Sequence, residues 1–184
     1  GILKYTGYER YSAKLNSNVK LFNDKVKLGV NSQFYTSKET LASTDLGGGP
    51  TPSLGVNLAP TIPVYTATGD YAGPLGSGYS DRNNPLYMQY INRWDNTDRT
   101  TIFGNVYAEI DLLENLTFRT SLGIDHSQTG IRDVEPRVSN GFITRNINRL
   151  TEVNESFTSL IFSNTLNYQL DLDKHKFEFL LGTE

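Results

Sequence analysis

The fold of this chain is decided by residues 10–21, which read RYSAKLNSNVKL. From Tyr11 to Leu21 every second position is apolar, aromatic or small, and the positions between are Ser, Lys or Asn. Successive side chains of a β-strand point to opposite faces, so this period of two predicts a strand with one apolar and one polar face. Phe22-Asn23-Asp24 then predicts a turn, because Asn and Asp side chains hydrogen-bond to the nearby backbone.

The same alternation continues along the chain and predicts antiparallel β-hairpins. Three hairpins are expected, at about 8–37, 99–130 and 154–184, separated by long loops at about 38–98 and 131–153. The strands, at roughly 10–15 residues, exceed the ~5–6 residues usual in soluble sheets. Short turns at one end and long loops at the other are typical of outer-membrane barrels.

Composition excludes several classes of protein. The formal net charge of -3 shows no basic excess, so nucleic acid is not an expected partner. The absence of Cys excludes disulfides and thiolate metal sites. No apolar run approaches the ~18–20 residues that a membrane helix needs, but strands that alternate apolar and polar residues conceal their hydrophobicity from such a count.

The alternation alone leaves a second architecture open, a secreted or surface-attached β-sandwich that serves as a binding module. In a sandwich the polar face would be solvated and the apolar rows would interdigitate between two sheets. In a membrane barrel the same rows would face lipid. The two hypotheses therefore differ in what covers residues such as Val26, Leu28, Val106, Ile110 and Leu122.

Several segments resemble, in order, the barrel of the SusC/RagA family of TonB-linked outer-membrane proteins. Each segment is an ordinary β sequence, and the specificity lies in their order and spacing. The segments are Tyr8-Glu9-Arg10-Tyr11-Ser12-Ala13-Lys14-Leu15-Asn16, Lys25-Val26-Lys27-Leu28-Gly29-Val30-Asn31, Ala59-Pro60-Thr61-Ile62-Pro63-Val64-Tyr65, Thr68-Gly69-Asp70, Asn84-Pro85-Leu86, Phe103-Gly104-Asn105-Val106-Tyr107-Ala108-Glu109-Ile110, residues 116–125, residues 164–168, Lys174-His175 and Leu180-Leu181-Gly182.

The resemblance implies an all-β fold that is part of a transmembrane barrel of about 22 strands. It also implies location in the bacterial outer membrane, import of oligosaccharides or peptides driven by TonB, and a SusD-like surface lipoprotein as a lid. The first residues hold no initiator Met, and the plug domain and TonB box that the resemblance implies have no counterpart in the chain. Six strands cannot close a barrel, so we expect residues 1–184 to be a partial barrel whose plug domain lies outside them. Outer-membrane lipid is then a partner of the wall, and TonB would act through parts outside this chain.

The sequence offers little for catalysis, and we expect neither an enzyme nor a cofactor. His126 and His175 belong to different predicted hairpins, and no Ser-His-Asp elbow, HExxH or P-loop is present. Residues 95–98, Asp-Asn-Thr-Asp, carry oxygen ligands but lack the Gly and distal Glu of a calcium loop. We interpret them as a solvated turn, with no metal site.

Two groups of residues are candidates for binding. The first is aromatic and lies in or beside the long loop, where it could contact substrate or lid, or could pack the loop and form an interfacial girdle. The second is polar and would face the lumen, where it could line the translocation path, bond to the plug or simply contact water. The aromatic group is Tyr65, Tyr71, Tyr79, Tyr87, Tyr90 and Trp94; the polar group is Lys14, Asn16, Lys27, Asn31, Gln33, Asn105, Glu109, Arg119 and Asp125.

Overall fold

The computed structural model describes residues 3–42, 51–74, 82–141 and 143–184. Within them the chain forms eight strands and two short helices, in an order that begins with a hairpin and ends with a hairpin. The elements are β1 (Gly7–Leu21), β2 (Val26–Thr40), α1 (Thr51–Asn57), α2 (Pro85–Ile91), β3 (Asn96–Leu113), β4 (Leu116–Glu135), β5 (Val138–Asn140), β6 (Ile143–Arg145), β7 (Arg149–Leu172) and β8 (His175–Thr183).

Six of the strands form one open sheet in the order β1-β2-β3-β4-β7-β8. The pairs β1–β2, β3–β4 and β7–β8 are each joined by a short turn, as the alternation predicts. Left-handed backbone tightens the first of these turns, where Phe22, Asn23 and Asp24 all have positive φ, and Asp173 has φ 46° in the last. Asn and Asp tolerate this conformation better than other residues with a Cβ, which explains why they stand at these turns.

The described residues divide into two compact units. The strand unit comprises Arg10–Thr36, Arg99–Gln128 and Glu155–Glu184, and the loop unit comprises Gly1–Glu9, Ser37–Asp98 and Thr129–Asn154. None of the described helices is long and apolar enough to cross a membrane.

In the strand unit the apolar and polar residues separate onto two faces. The apolar face carries a shallow groove of about 550 Å³. Within the strand unit no second layer covers this face, and Val106 and Leu122 keep 51% and 47% of their surface exposed. The apolar rows therefore do not interdigitate as a sandwich requires. The groove is lined in part by Val19, Leu28, Val30, Val106, Ala108, Leu122 and Phe162.

The loop unit has a small core of its own. Leu54 of α1, Met88 and Ile91 of α2 and Val138 of β5 are buried against one another, and Tyr87 packs on them. The Nε2 of Gln89 donates a hydrogen bond to the Thr51 hydroxyl, which joins the two helices. The long loop predicted at 38–98 thus contains two helices that the alternation gave no reason to expect.

The strands extend further into the predicted loops than the sequence pattern indicates. β4 continues to Glu135 and β7 begins at Arg149, and the segment between them holds the two-stranded pair β5–β6. The Glu135 carboxylate forms ion pairs with the guanidinium groups of Arg145 and Arg149, with N···O distances of 3.2 and 3.4 Å. These strand ends carry polar residues on both faces. Alternation of apolar and polar residues therefore does not predict them.

Candidate functional site

The aromatic cluster of the loop unit is centred on Tyr71. Its ring lies 5.3 Å from the ring of Tyr65, 5.6 Å from that of Tyr87 and 5.5 Å from that of Tyr90. Tyr5 joins from the start of the chain, with its ring 6.1 Å from that of Tyr90. Four of the six predicted aromatic residues are therefore brought together, and Tyr79 lies outside the described residues.

A tight turn presents Tyr65 and Tyr71 side by side. The two residues form an isolated antiparallel bridge, and the Ala72 amide donates to the Val64 carbonyl at 3.1 Å. At the tip, Gly69 adopts φ +89°, which a residue with a Cβ disfavours. Hydroxyl and carboxylate groups close the tip, since Thr68 donates to Asp70 at 3.0 Å. We refer to residues 64–72 as the tyrosine turn.

Helix α2 supplies the other two tyrosines of the cluster, Tyr87 and Tyr90. Asn84 caps this helix, because its Oδ1 accepts hydrogen bonds from the amides of Leu86 and Tyr87. Pro85 follows at the first helical position, where its missing N–H costs nothing. Asn84 before Pro85 is a sequence signal for a helix start, and it could have revealed α2 in advance.

The same Asn84 side chain also holds the tyrosine turn. Its Nδ2 donates to the Val64 carbonyl at 2.8 Å and to the Ala72 carbonyl at 3.1 Å. The residue is 2% exposed, so these bonds are shielded from water. The Asn84 side chain therefore donates hydrogen bonds to the tyrosine turn through Nδ2 and accepts hydrogen bonds from α2 through Oδ1.

Arg93 and Trp94 form an exposed edge beside the cluster. The Arg93 guanidinium lies 3.9 Å from the centre of the Tyr90 ring and 5.0 Å from that of Trp94, and it donates to the Tyr90 carbonyl. Trp94 keeps 60% of its surface exposed. Sequence reasoning selected Trp94 but omitted Arg93 and Tyr5. Arg93 adjoins Trp94 in sequence, whereas nothing near Tyr5 indicates its distant partner.

Burial shifts the ionisation of two tyrosines in the cluster. Burial raises the pKa of Tyr71 above its ordinary value of 10.0, and the neighbouring hydroxyls of Tyr5 and Tyr65 raise it further. Burial also raises the pKa of Tyr87, while the positive charge of Arg145 opposes that shift. Both hydroxyls therefore stay neutral at physiological pH.

The polar residues selected from the sequence lie in the strand unit on the face opposite the apolar groove. Five of them line one groove of about 500 Å³ together with Phe103. Within this groove the Asn31 amide donates to Asn105 at 3.3 Å. Asp125 lies in a smaller depression that Asn105 and Ile161 also line. The five residues are Lys14, Asn16, Asn31, Gln33 and Asn105.

The remaining polar candidates surround Tyr107. The Arg119 guanidinium lies 4.5 Å from the centre of its ring and the Lys27 ammonium 6.0 Å from it. Arg119 also bonds to Glu109 at 3.5 Å. The Tyr107 ring covers Gly29, where no side chain stands in its way. The prediction that these residues face a lumen stays a prediction.

The residues considered for catalysis or metal binding are far apart or already engaged. His126 shares a hydrogen bond with the Thr158 hydroxyl at 2.8 Å, and His175 lies beside Phe177. Asp95 accepts the Val134 amide at 2.7 Å, which gives it a structural partner. Across the described part of the chain, no three His, Asp or Glu side chains group as a metal site would require.

Comparison with known proteins bears on the family and the fold. No family model matches the chain. A curated protein of Formosa agariphila, named TonB-dependent receptor P3, is 27% identical over an alignment of 141 positions, and the match covers 74% of this chain and 14% of that protein. Two solved structures of the RagAB peptide importer or transporter cover 96% of this chain, with TM-scores of 0.73 and 0.71 and identities of 21% and 20%.

The predicted SusC/RagA resemblance is confirmed. The fold prediction is confirmed with it, since these antiparallel hairpins match part of the RagAB structures. The chain spans 14% of the curated relative and 20% of each matched structural chain. The names of these proteins describe a TonB-dependent receptor and a peptide importer or transporter.

Proposed function

We propose that this chain forms part of the wall of an outer-membrane nutrient importer and performs no catalysis. Its apolar face contacts lipid, and its polar face lines the interior. The observation that carries the proposal is the apolar face of the strand unit, on which Val106 and Leu122 are about half exposed and no second layer of the same unit packs. In a bilayer such a row is favourable, because the inner strands β2, β3, β4 and β7 pair on both sides and so satisfy their backbone groups within the sheet.

Neighbouring residues on β3 test this orientation. The chain contains no Cys, so Val106→Cys and Asn105→Cys each introduce a thiol at a known face. In the full-length protein in vesicles, a fluorophore on residue 106 should be quenched by spin-labelled lipid. A water-soluble thiol reagent should reach residue 105 instead. Equal reaction of both thiols from water, without lipid quenching at 106, would contradict the proposal.

The cargo and partners follow from the same proposal. The named relatives include a peptide importer, and the resemblance implies oligosaccharides or peptides, a SusD-like lipoprotein lid and energy from TonB. The polar groove supports transit of a polar oligomer, because Asn16, Asn31, Gln33 and Asn105 offer both hydrogen-bond donors and acceptors. Lys14 adds one positive charge to that lining.

We further propose that the aromatic cluster contacts the lid or the captured substrate. Exposed Trp, Tyr and Arg are the residue types that carry most binding energy in protein interfaces, and here Tyr90, Arg93 and Trp94 stack on one another. The stack keeps the Arg93 side chain ordered before any partner arrives, which reduces the entropy lost on binding.

Replacement of Trp94 tests this contact. Trp94→Ala in the full-length protein should reduce the amount of surface lipoprotein that co-purifies with it, or the rate of nutrient uptake, by about tenfold, the effect of losing ~1–2 kcal/mol at an interface. Trp94→Phe, which keeps a ring over Arg93, should retain most of the binding. Unchanged co-purification and uptake in Trp94→Ala would exclude the contact.

A further inference from the structure

We propose that Asn84 is the positioning residue that holds the aromatic cluster in one arrangement. The inference rests on the proposed role of that cluster and deepens it. It goes beyond helix capping, because the same side chain bonds to two segments that each carry two tyrosines. Tyr65 and Tyr71 come from the tyrosine turn, and Tyr87 and Tyr90 come from α2.

The geometry gives each polar atom of Asn84 a separate task. Nδ2 carries two N–H groups, and both are used, on the Val64 and Ala72 carbonyls. Oδ1 accepts two amides of α2, from Leu86 and Tyr87. The hydrogen-bonding capacity of the side chain is thus filled, and no other side chain of similar size offers two donors and one acceptor in this form.

The two carbonyls that Asn84 contacts flank the tyrosine pair on either side. Val64 immediately precedes Tyr65 and Ala72 immediately follows Tyr71. Holding both carbonyls therefore fixes the two strands of the tyrosine turn relative to α2. Loss of the amide would remove this donor from the carbonyl of the buried residue Ala72 and would leave the Val64 carbonyl with the Ala72 amide as its donor.

A second side chain, that of Asn140, also holds the tyrosine turn, and it does so without bonding to α2. The Nδ2 of Asn140 donates to the Tyr71 carbonyl at 2.8 Å. The backbone at Gly73 is so close to Asn140 and Gly141 that a Cβ there would meet the Gly141 nitrogen at 2.4 Å. The tyrosine turn can therefore remain folded when Asn84 changes, and only its attachment to α2 is expected to loosen.

Asn84→Asp separates the two tasks of the side chain. An aspartate keeps the acceptor oxygens that cap α2, and its charge suits a helix N-terminus. It loses both donors and places a carboxylate against two carbonyl oxygens. When the pH falls below the pKa of this carboxyl group, the protonated acid regains one O–H donor, so part of the attachment should return. An effect on helix folding alone would not show this recovery.

The test is hydrogen exchange in the full-length protein, read from peptides that cover residues 64–72 and 85–91. Asn84→Asp should accelerate exchange in residues 64–72 by about tenfold or more, as expected for two lost hydrogen bonds. Exchange in residues 85–91 should stay unchanged, and the acceleration should shrink at low pH. Thr68→Ala serves as the matched control, because it alters the exposed tip of the turn and leaves the Asn84 bonds intact.

The outcomes separate this inference from the proposed function. Unchanged exchange in residues 64–72, or equal acceleration in residues 85–91, would overturn the positioning role of Asn84. Acceleration confined to residues 64–72 supports it whatever happens to binding. Lipoprotein co-purification and uptake, measured on the same variant and on Trp94→Ala, decide separately whether the cluster is a contact surface.

Discussion

At the scale of single residues, close approach of backbone and ring explains why particular positions lack a side chain. A Cβ at Gly29 would lie 2.3 Å from the ring of Tyr107, which itself stacks under Arg119. Gly29→Ala should therefore push the ring aside and lower the free energy of unfolding by ~1–3 kcal/mol, measured by denaturant titration. In a Tyr107→Ala background, Gly29→Ala should lower the free energy of unfolding by much less. Equal costs in both backgrounds would show that the ring is not the obstacle.

Two glycines of the loop unit offer a matched pair. A Cβ at Gly73 would collide with backbone of Asn140 and Gly141, whereas a Cβ at Gly55 in α1 meets nothing within 4 Å. Gly73→Ala should destabilise the loop unit by ~1–3 kcal/mol, because backbone cannot move aside as a side chain can. Gly55→Ala should stabilise it by ~0.5–1 kcal/mol through helix propensity. The midpoint of thermal unfolding should therefore fall in Gly73→Ala and rise in Gly55→Ala.

The raised pKa of Tyr71 predicts a loss of stability at high pH. Below its ordinary pKa of 10.0 the hydroxyl is neutral in both folded and unfolded chains, so the stabilisation is fully present. As pH rises past 10.0 toward the higher folded pKa, the unfolded chain ionises first and the stabilisation disappears. Protection of the amides of residues 64–72 from hydrogen exchange, taken relative to the base-catalysed rate of an unfolded chain at the same pH, should therefore fall above about pH 10. Tyr71→Phe should flatten this pH dependence, and an unchanged profile would contradict the assignment.

At the scale of elements, the long strands could be predicted because one physical rule dominates them. Burial of one face, in lipid or protein, imposes a period of two that survives in the sequence. The helices could not be predicted in the same way, because each has only seven residues and its burial depends on Leu54, Met88 and Val138 meeting in the fold. The aromatic residues were selected by type, but the cation that orders them, Arg93, and the amide that joins them, Asn84, were not.

A pair of substitutions on β3 measures the energetic difference between the two faces. Val106→Arg should destabilise the full-length protein in a bilayer by ~2–4 kcal/mol, because it places a charge among lipid tails. Asn105→Arg, one residue away, points to the polar groove and should change stability by less than ~1 kcal/mol. Reversible denaturant titration in vesicles gives both values. Similar costs for the two variants would contradict the assignment of the faces.

At the scale of the whole molecule, the six-stranded sheet ends in β1 and β8, each of which pairs on one side only among the described strands. Unpaired strand edges and an uncovered apolar face both promote association in water. Residues 1–184 expressed alone should therefore form large assemblies in detergent-free buffer, as measured by light scattering, and should disperse in detergent. A monomer with cooperative unfolding in water would revive the sandwich hypothesis.

The separation of the apolar and polar faces also restricts how the strands of this sheet can change in length during evolution. Insertion or deletion of one residue within β3 would exchange the sides of Asn105 and Val106 and of every residue beyond the change. Length changes inside the strands must therefore come in pairs of residues or be absorbed by a bulge. The segment between β2 and β3 is not a strand of the sheet, so length changes there need not come in pairs of residues. Related chains should therefore differ in that segment by odd as well as even numbers of residues.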